Sequence, residues 1–161
     1  MSIPAPPLCS LVLVEDEEGH ILASSRRYNP RRLNLPGGKI DEEDVTGHPD
    51  HGRYYNIDNT LLNCAIRELR EETGLHVELE DLVLLYTGVC THNPIEDEEQ
   101  EPDSICFTYL ATKWSGTPKQ PDGEPPIRWV TWEDLIKSTP YPEYNTQVLF
   151  AVSRWENTSS D

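Results

Sequence analysis

Arg67-Glu68-Leu69-Arg70-Glu71-Glu72-Thr73-Gly74-Leu75 is the stretch on which the reading of this chain turns. Helical neighbours lie three and four residues apart, so a helix here carries Glu68, Glu71 and Glu72 on one face, with Gly74 placed to end it. Three carboxylates held that close repel one another unless a cation lies between them. A hard divalent ion such as Mg2+ takes oxygen ligands and keeps several waters, so the face reads as a magnesium seat suited to attack on a diphosphate. The plainer reading is a solvated acidic face with Arg67 and Glu71 paired across one turn.

Upstream, Leu35-Pro36-Gly37-Gly38-Lys39-Ile40-Asp41 reads as a glycine turn. Together the two segments resemble the signature of the Nudix hydrolases: Gly, five residues, Glu, seven residues, then Arg-Glu-hydrophobic-x-Glu-Glu-x-Gly-hydrophobic. The second half matches at every specified position. The first half departs from it. Counting on from Gly38 reaches Asp44 where the family has Glu, counting from Gly37 reaches Glu43, and counting back from Arg67 reaches Asn59. An insertion of about fifteen residues in the loop, roughly residues 42–57, accounts for the mismatch. Glu42, Glu43 and Asp44 are the candidates to replace the family's loop glutamate.

The inserted text is polar and rich in turn formers, as in an extended surface loop beside the site. Its His48, Asp50 and His51 are open to reading as a second metal site or as solvated loop; their spacing fits no zinc pattern. Arg53, Tyr54 and Tyr55 either close over a substrate, stacking on a base and touching a phosphate, or pin the loop to the protein body.

At 161 residues the chain is read as one domain, residues 1–161. The net charge of −16 argues against a nucleic-acid polymer as partner, because Lys and Arg must neutralise its phosphates. An anionic nucleotide meets the same repulsion, which metal at the glutamates and the cations Arg26, Arg27, Arg31, Arg32 and Lys39 would offset. No apolar run is long enough to span a membrane and no secretory leader pattern opens the chain, so a cytoplasmic protein is expected. Cys9, Cys64, Cys90 and Cys106 form no Cys-x-x-Cys pair and read as buried free thiols.

Alternation predicts strands over Leu11–Glu15, Ile21–Arg26, Leu33–Leu35, Leu82–Cys90 (buried), Ile105–Trp114 and Ile127–Val130. The helix bearing the glutamates is expected over about Thr60–Thr73, capped by Asp58, Asn59 or Thr60, with Leu62, Ala65, Ile66 and Leu69 as its apolar stripe. Thr131 is expected to cap a short helix over Trp132–Lys137, and a last helix should run near Asn145–Trp155, with a disordered tail over 157–161. The acidic run Glu96–Glu101 reads as a solvated hairpin tip. These elements predict an α+β fold, a mixed sheet between helices, in agreement with the α/β/α sandwich of the resembling family.

The resemblance implies a Mg2+-dependent hydrolase, with Mn2+ able to substitute, acting on a nucleoside diphosphate linked to another group. It implies Glu71 and Glu72 as principal metal ligands, with the Gly37 carbonyl as another. Glu68 is the first choice for general base, with metal ligation as its alternative role, and Arg67 holds the glutamates in place. Gly38, Lys39 and Arg27 would meet substrate phosphates, Arg27 being otherwise part of a solubilising basic edge. The Asp122-Gly123-Glu124 loop resembles the MutT-like branch, in which a loop carboxylate ahead of a Trp-containing strand assists the metal. Glu124 or Asp122 fits that place, as does an ordinary turn. Tyr141-Pro142-Glu143-Tyr144-Asn145 resembles the base-contacting segment, where Asn145 either reads base edges or caps the last helix.

The leading expectation is a MutT-like nucleoside triphosphate pyrophosphohydrolase, acting on 8-oxo-dGTP or another modified purine nucleotide, as a monomer or homodimer. The alternatives are hydrolysis of ADP-ribose or dinucleoside polyphosphates, and a non-catalytic module that binds a nucleotide or protein.

Overall fold

Leu11, Val12, Leu13 and Val14 are apolar in succession, and the fold uses both sides of that run. Leu11 and Leu13 pack with Tyr144, Val148 and Val152, while Val12 and Val14 pack with Leu61, Ala65 and Leu69. A strand apolar on both faces must lie between two layers, and here each layer is helical. The computed structural model describes residues 6–45 and 56–159. His48, Asp50, His51, Arg53, Tyr54 and Tyr55 lie outside them.

In chain order the elements are β1 (Leu8–Leu13), β2 (Ile21–Arg26), β3 (Asn29–Asn34), β4 (Gly37–Lys39), α1 (Ile57–Thr73), β5 (Leu82–Cys90), β6 (Ser104–Ala111), β7 (Ile127–Val130), α2 (Trp132–Ser138) and α3 (Pro142–Ser159). The expected mixed sheet is present as β4-β1-β6-β5, in which β1 and β6 run parallel and the other pairs antiparallel. A second, antiparallel sheet has the order β3-β2-β7. Helix α1 packs on β1 and β4, and α3 packs on β5.

Several boundaries differ from expectation for local reasons. The glycine segment is a strand and not a turn: Gly37 and Gly38 pair with Leu11 and Ser10. A Cβ on Gly37 would sit 2.3 Å from the Ser10 carbonyl oxygen, so glycine is required by the close approach of β1. Strand β3 begins at Asn29 because it lies at the edge of its sheet, where Pro30 is tolerated. Strand β5 is also an edge, so its expected burial is only partial, and Leu84 and Val89 are exposed.

Asn56 caps α1, accepting from the Asn59 N–H, so the helix starts a turn earlier than expected. Gly74, at φ 79°, ends it as expected. Pro142 opens α3, as proline does at a first helical turn, which places Asn145 inside the helix and not at its cap. Residues 157–159, expected in the disordered tail, continue α3. All four cysteines are free and buried. Among the described residues no helix is long and apolar enough to cross a membrane.

Leu69 anchors α1 to the β1 face and is fully buried. Leu69→Ala should cost about 2–5 kcal/mol of unfolding free energy, read from denaturant midpoints; a cost below about 1 kcal/mol would contradict this packing.

Candidate active site

The acidic face of α1 is fastened to β4 by contacts that only glycine permits. The Gly37 N–H donates to Glu72 Oε2 at 2.7 Å. A Cβ on Gly38 would lie 2.6 Å from Glu68 Oε1, so the missing side chain is the space the Glu68 carboxylate fills. Cys64 on the same helix donates from Sγ to the Gly38 carbonyl.

Arg67 gathers the charges. Its Nη1 donates to Glu68 Oε1 and Glu71 Oε2, both at 3.0 Å. Its Nε and Nη2 form a two-pronged bond to Asp44 at 2.8 and 2.9 Å, and Nη2 also reaches the Lys39 carbonyl. Such fork-on-fork pairing fixes geometry as well as charge. Of the three candidates for the loop carboxylate, Asp44 is the one set on this guanidinium. Glu43 lies 3.5 Å from Nε with a largely exposed side chain, whereas the Asp44 side chain is 2% exposed. A 3-10 turn over Glu42–Asp44, capped reciprocally by Asp41, delivers the shorter side chain to Arg67. Burial raises the Asp44 pKa, but the bonds from Arg67 and the Asp41 N–H outweigh it and hold the carboxyl below its usual range.

Glu72 has the opposite electrostatics. Burial, then the neighbouring Glu68 charge, push it up to about 8 against the Gly37 hydrogen bond, and Glu124 adds to the rise. Glu68 is also raised, chiefly by burial. Acidic groups that cannot all shed protons unaided are suited to a hard cation, and their oxygen donors match Mg2+. Glu68, Glu71 and Glu72 thus offer the donor type a divalent ion takes, but their carboxylates are held apart, Glu68 and Glu71 on Arg67 and Glu72 on the Gly37 N–H, and are not drawn into one cluster.

Beside them opens a cleft of about 270 Å³, lined by residues that include Arg26, Arg27, Asn34, Gly37, Gly38, Glu72 and Tyr141. Arg27 bonds the Gly123 carbonyl and the Glu124 carboxylate, bringing both predicted residues to the cleft mouth. The Lys39 side chain is exposed outside the cleft wall, and its carbonyl serves Arg67.

Asn145 is fully buried, and its Nδ2 donates to Asn34 Oδ1 and Thr139 Oγ1, both at 3.0 Å. It stands behind the cleft wall, and Asn34 is the amide that faces the cleft. With its oxygen taken by Asn145 and by Thr139, Asn34 keeps its N–H groups for whatever enters. The sequence signal for Asn34 was a single amide between two core leucines.

Glu96, Asp97, Glu99 and Gln100 of the acidic run are exposed as expected, but Glu98 and Glu101 are not. Glu98 lies against Arg32 and His92 and accepts from Asn29 and the Ile95 N–H, and Glu101 takes bonds from Arg26 and Tyr141. Arg26 also stacks over the Tyr141 ring at 5.6 Å. These contacts join segments 75 and 40 residues apart in the chain, so no local pattern announced them. Among the described residues it is Asp16, Glu18 and His20, at the β1–β2 hairpin and outside the cleft lining, whose side-chain ligand atoms lie close enough together to hold an ion; Asp16 accepts from the backbone N–H groups of the other two.

A family model for the NUDIX domain matches residues 6–151. No curated protein matches the chain. Among solved structures, a MutT NUDIX hydrolase from Burkholderia pseudomallei aligns with 22% identity over 91% of this chain and 98% of its own, at a TM-score of 0.60. A MutT protein from Methanosarcina mazei Go1 aligns with 20% identity over 96% of this chain and 99% of its own, at 0.61. A bifunctional NMN adenylyltransferase/ADP ribose pyrophosphatase from Francisella tularensis, complexed with AMP and a Mn ion, aligns with 18% identity over 93% of this chain and 42% of its own, at 0.56. At these identities the likeness is one of fold.

Glu72 supplies a pH test in metal-free protein. Its folded pKa of about 8 lies above the ordinary value of 4.5, so the native state holds this proton more tightly than the unfolded chain. Its contribution to stability is complete below the ordinary value and is lost as pH rises toward the folded one. The difference between wild type and Glu72→Gln should therefore move in favour of the variant by up to ~1.4 kcal/mol per pH unit across that window. A flat difference in denaturant midpoints over the same range would contradict the burial assigned to Glu72.

Proposed function

Because the chain belongs to the NUDIX family of hydrolases, we propose that it is a Mg2+-dependent nucleoside triphosphate pyrophosphohydrolase of MutT type, yielding a nucleoside monophosphate and pyrophosphate. The observation that carries this reading is the cleft itself. At about 270 Å³ it lies at the small end for a ligand site, which suits one nucleoside better than two. Its wall presents the Asn34 amide as a donor to a base acceptor, and Glu72 and Gly37 line the same space. A purine carrying an extra carbonyl, as 8-oxo-dGTP does, is the favoured class.

Nudix enzymes generally use a divalent metal. Here Glu71 and Glu72, with Glu68, the Gly37 carbonyl and Glu124, would hold it, and when bound it supplies charge neutralisation at the phosphates and a more acidic water. Glu68 is assigned the proton of the attacking water, a role that its burial-raised pKa supports. Arg67 keeps Glu68 and Glu71 aligned through Asp44. Arg27 exchanges Glu124 for a substrate phosphate, Gly38 leaves the backbone open to close approach, and Lys39 serves the outer phosphates from the rim. Asn145 acts on the base through Asn34, whose orientation it sets.

Nucleotides incubated with protein and Mg2+, with products separated by chromatography, test this. Pyrophosphate from a triphosphate is expected. Two monophosphates from ADP-ribose would transfer the reading to that substrate, and binding without turnover would replace it with a nucleotide-binding module. Glu72→Gln should lower kcat by roughly 10²-fold or more with the circular dichroism spectrum retained; equal turnover would overturn the assignment. Asn34→Ala should erase selectivity between purine triphosphates while leaving residual turnover, since one lost base contact is worth ~1–3 kcal/mol. Unchanged selectivity would remove Asn34 from the base site.

A further inference from the structure

Two carboxamides and a hydroxyl form a buried hydrogen-bonded unit at the cleft wall. Asn34 ends β3, Thr139 follows α2, and Asn145 lies near the start of α3. Their backbones are fixed. Asn34 pairs with Ser24 on β2, the Thr139 N–H donates to the Leu135 carbonyl, and the Asn145 N–H donates to the Tyr141 carbonyl. What stays free is rotation at the ends of the side chains. The terminal torsion of a carboxamide has two broad wells, and a hydroxyl turns to donate or accept as its neighbours require.

In the arrangement seen, Asn145 Nδ2 donates to Asn34 Oδ1 and to Thr139 Oγ1, both at 3.0 Å. Asn34 then shows its N–H groups to the cleft it lines. If both carboxamides turn over, the same contacts reform with their polarity reversed. Asn34 Nδ2 donates to Asn145 Oδ1, the Thr139 hydroxyl donates to the same oxygen, and Asn34 shows its carbonyl oxygen to the cleft. The Tyr141 N–H keeps its Thr139 Oγ1 acceptor either way. As the pair stands, Asn145 Oδ1 has no hydrogen-bond partner among the described residues, so turning it gives up no bond to them. Turning one amide alone would set oxygen against oxygen or N–H against N–H, so the two move together.

We infer that Asn34 and Asn145 are a two-state reader of the purine 6-position, in which Asn145 is the positioning residue that sets the polarity Asn34 presents. That position separates the purines by hydrogen-bond sign, since a 6-oxo group accepts and a 6-amino group donates. The state seen takes a 6-oxo purine directly. A 6-amino purine is admitted after the pair turns, and it binds more weakly by the cost of turning. The inference rests on the nucleotide reading and deepens it: the substrate class is purine nucleotides of both signs, with the 6-oxo kind preferred.

Calorimetry at pH 8 with inosine monophosphate and adenosine monophosphate tests this. The two share ribose and phosphate, and their binding needs no turnover. An inactive protein would therefore overturn the hydrolase reading and leave this test standing. Wild type should bind the inosine nucleotide about 10-fold more tightly. Asn145→Asp has the same shape but only acceptor atoms, so Asn34 must donate to it and turn its own oxygen to the cleft. The preference should then invert, to about 10-fold in favour of the adenosine nucleotide. A purely structural role for Asn145 would weaken both nucleotides alike. Should Asn145→Asp unfold, side-chain amide NMR on wild type decides: the contact of the Asn145 NH2 with the Thr139 side chain should persist with the inosine nucleotide and vanish with the adenosine one. A folded variant that keeps the wild-type order or loses both nucleotides equally, or an NMR contact unchanged between the two, would overturn the inference. Binding of neither nucleotide by wild type would overturn it together with the nucleotide reading.

Discussion

One guanidinium makes this site possible. Asp44, Glu68 and Glu71 could not share so small a space without Arg67, which donates to all three and to the Lys39 carbonyl besides. Its charge is divided. The buried side of the fork is committed to Asp44, and the outer nitrogen is shared by the two glutamates. A lysine could not substitute, because a single ammonium cannot make a two-pronged bond to one carboxylate while bridging two others. The 3-10 turn over Glu42–Asp44 is what fixes Asp44 on this guanidinium within the segment between β4 and α1.

The second constraint is steric. Helix α1 and strand β4 approach so closely that Glu68 occupies the place a side chain on Gly38 would take, and Gly37 lies hard against β1. Side-chain volume removed from one element thus becomes room for a functional carboxylate on another. The same closeness buries Glu72, and its raised pKa is the electrostatic result.

The sequence carried the parts of this structure whose causes are local. Helix α1 and its glycine end, β2, β5, β7 and the Thr131 cap follow from spacing and propensity within a few residues. The nine-residue segment from Arg67 to Leu75 held enough fixed positions to indicate the chemistry. What escaped depends on distance in the chain. Gly37 and Gly38 read as a turn because nothing local reveals that β1 runs alongside. Asn145 read as a base contact or a cap because the Asn34 carboxamide that it orients lies 111 residues away. Glu98 and Glu101 read as solvated because their partners sit on β2, β3 and the segment leading into α3. Cys9, Cys90 and Cys106 line the cleft yet had no readable spacing, since strand pairing is what brings their positions near one another.

The pairing of Arg27 with Glu124 has a consequence for how this cleft admits reagents. Each of the two groups already neutralises the other. On the proposed reading, a bare polyphosphate that captures Arg27 strands an unpaired carboxylate, and a bare cation that captures Glu124 strands an unpaired guanidinium. Only a chelate carrying both signs satisfies the two halves at once. On that reading the mouth of the cleft would act as a coincidence detector, favouring nucleotide and ion arriving as one body over either arriving alone.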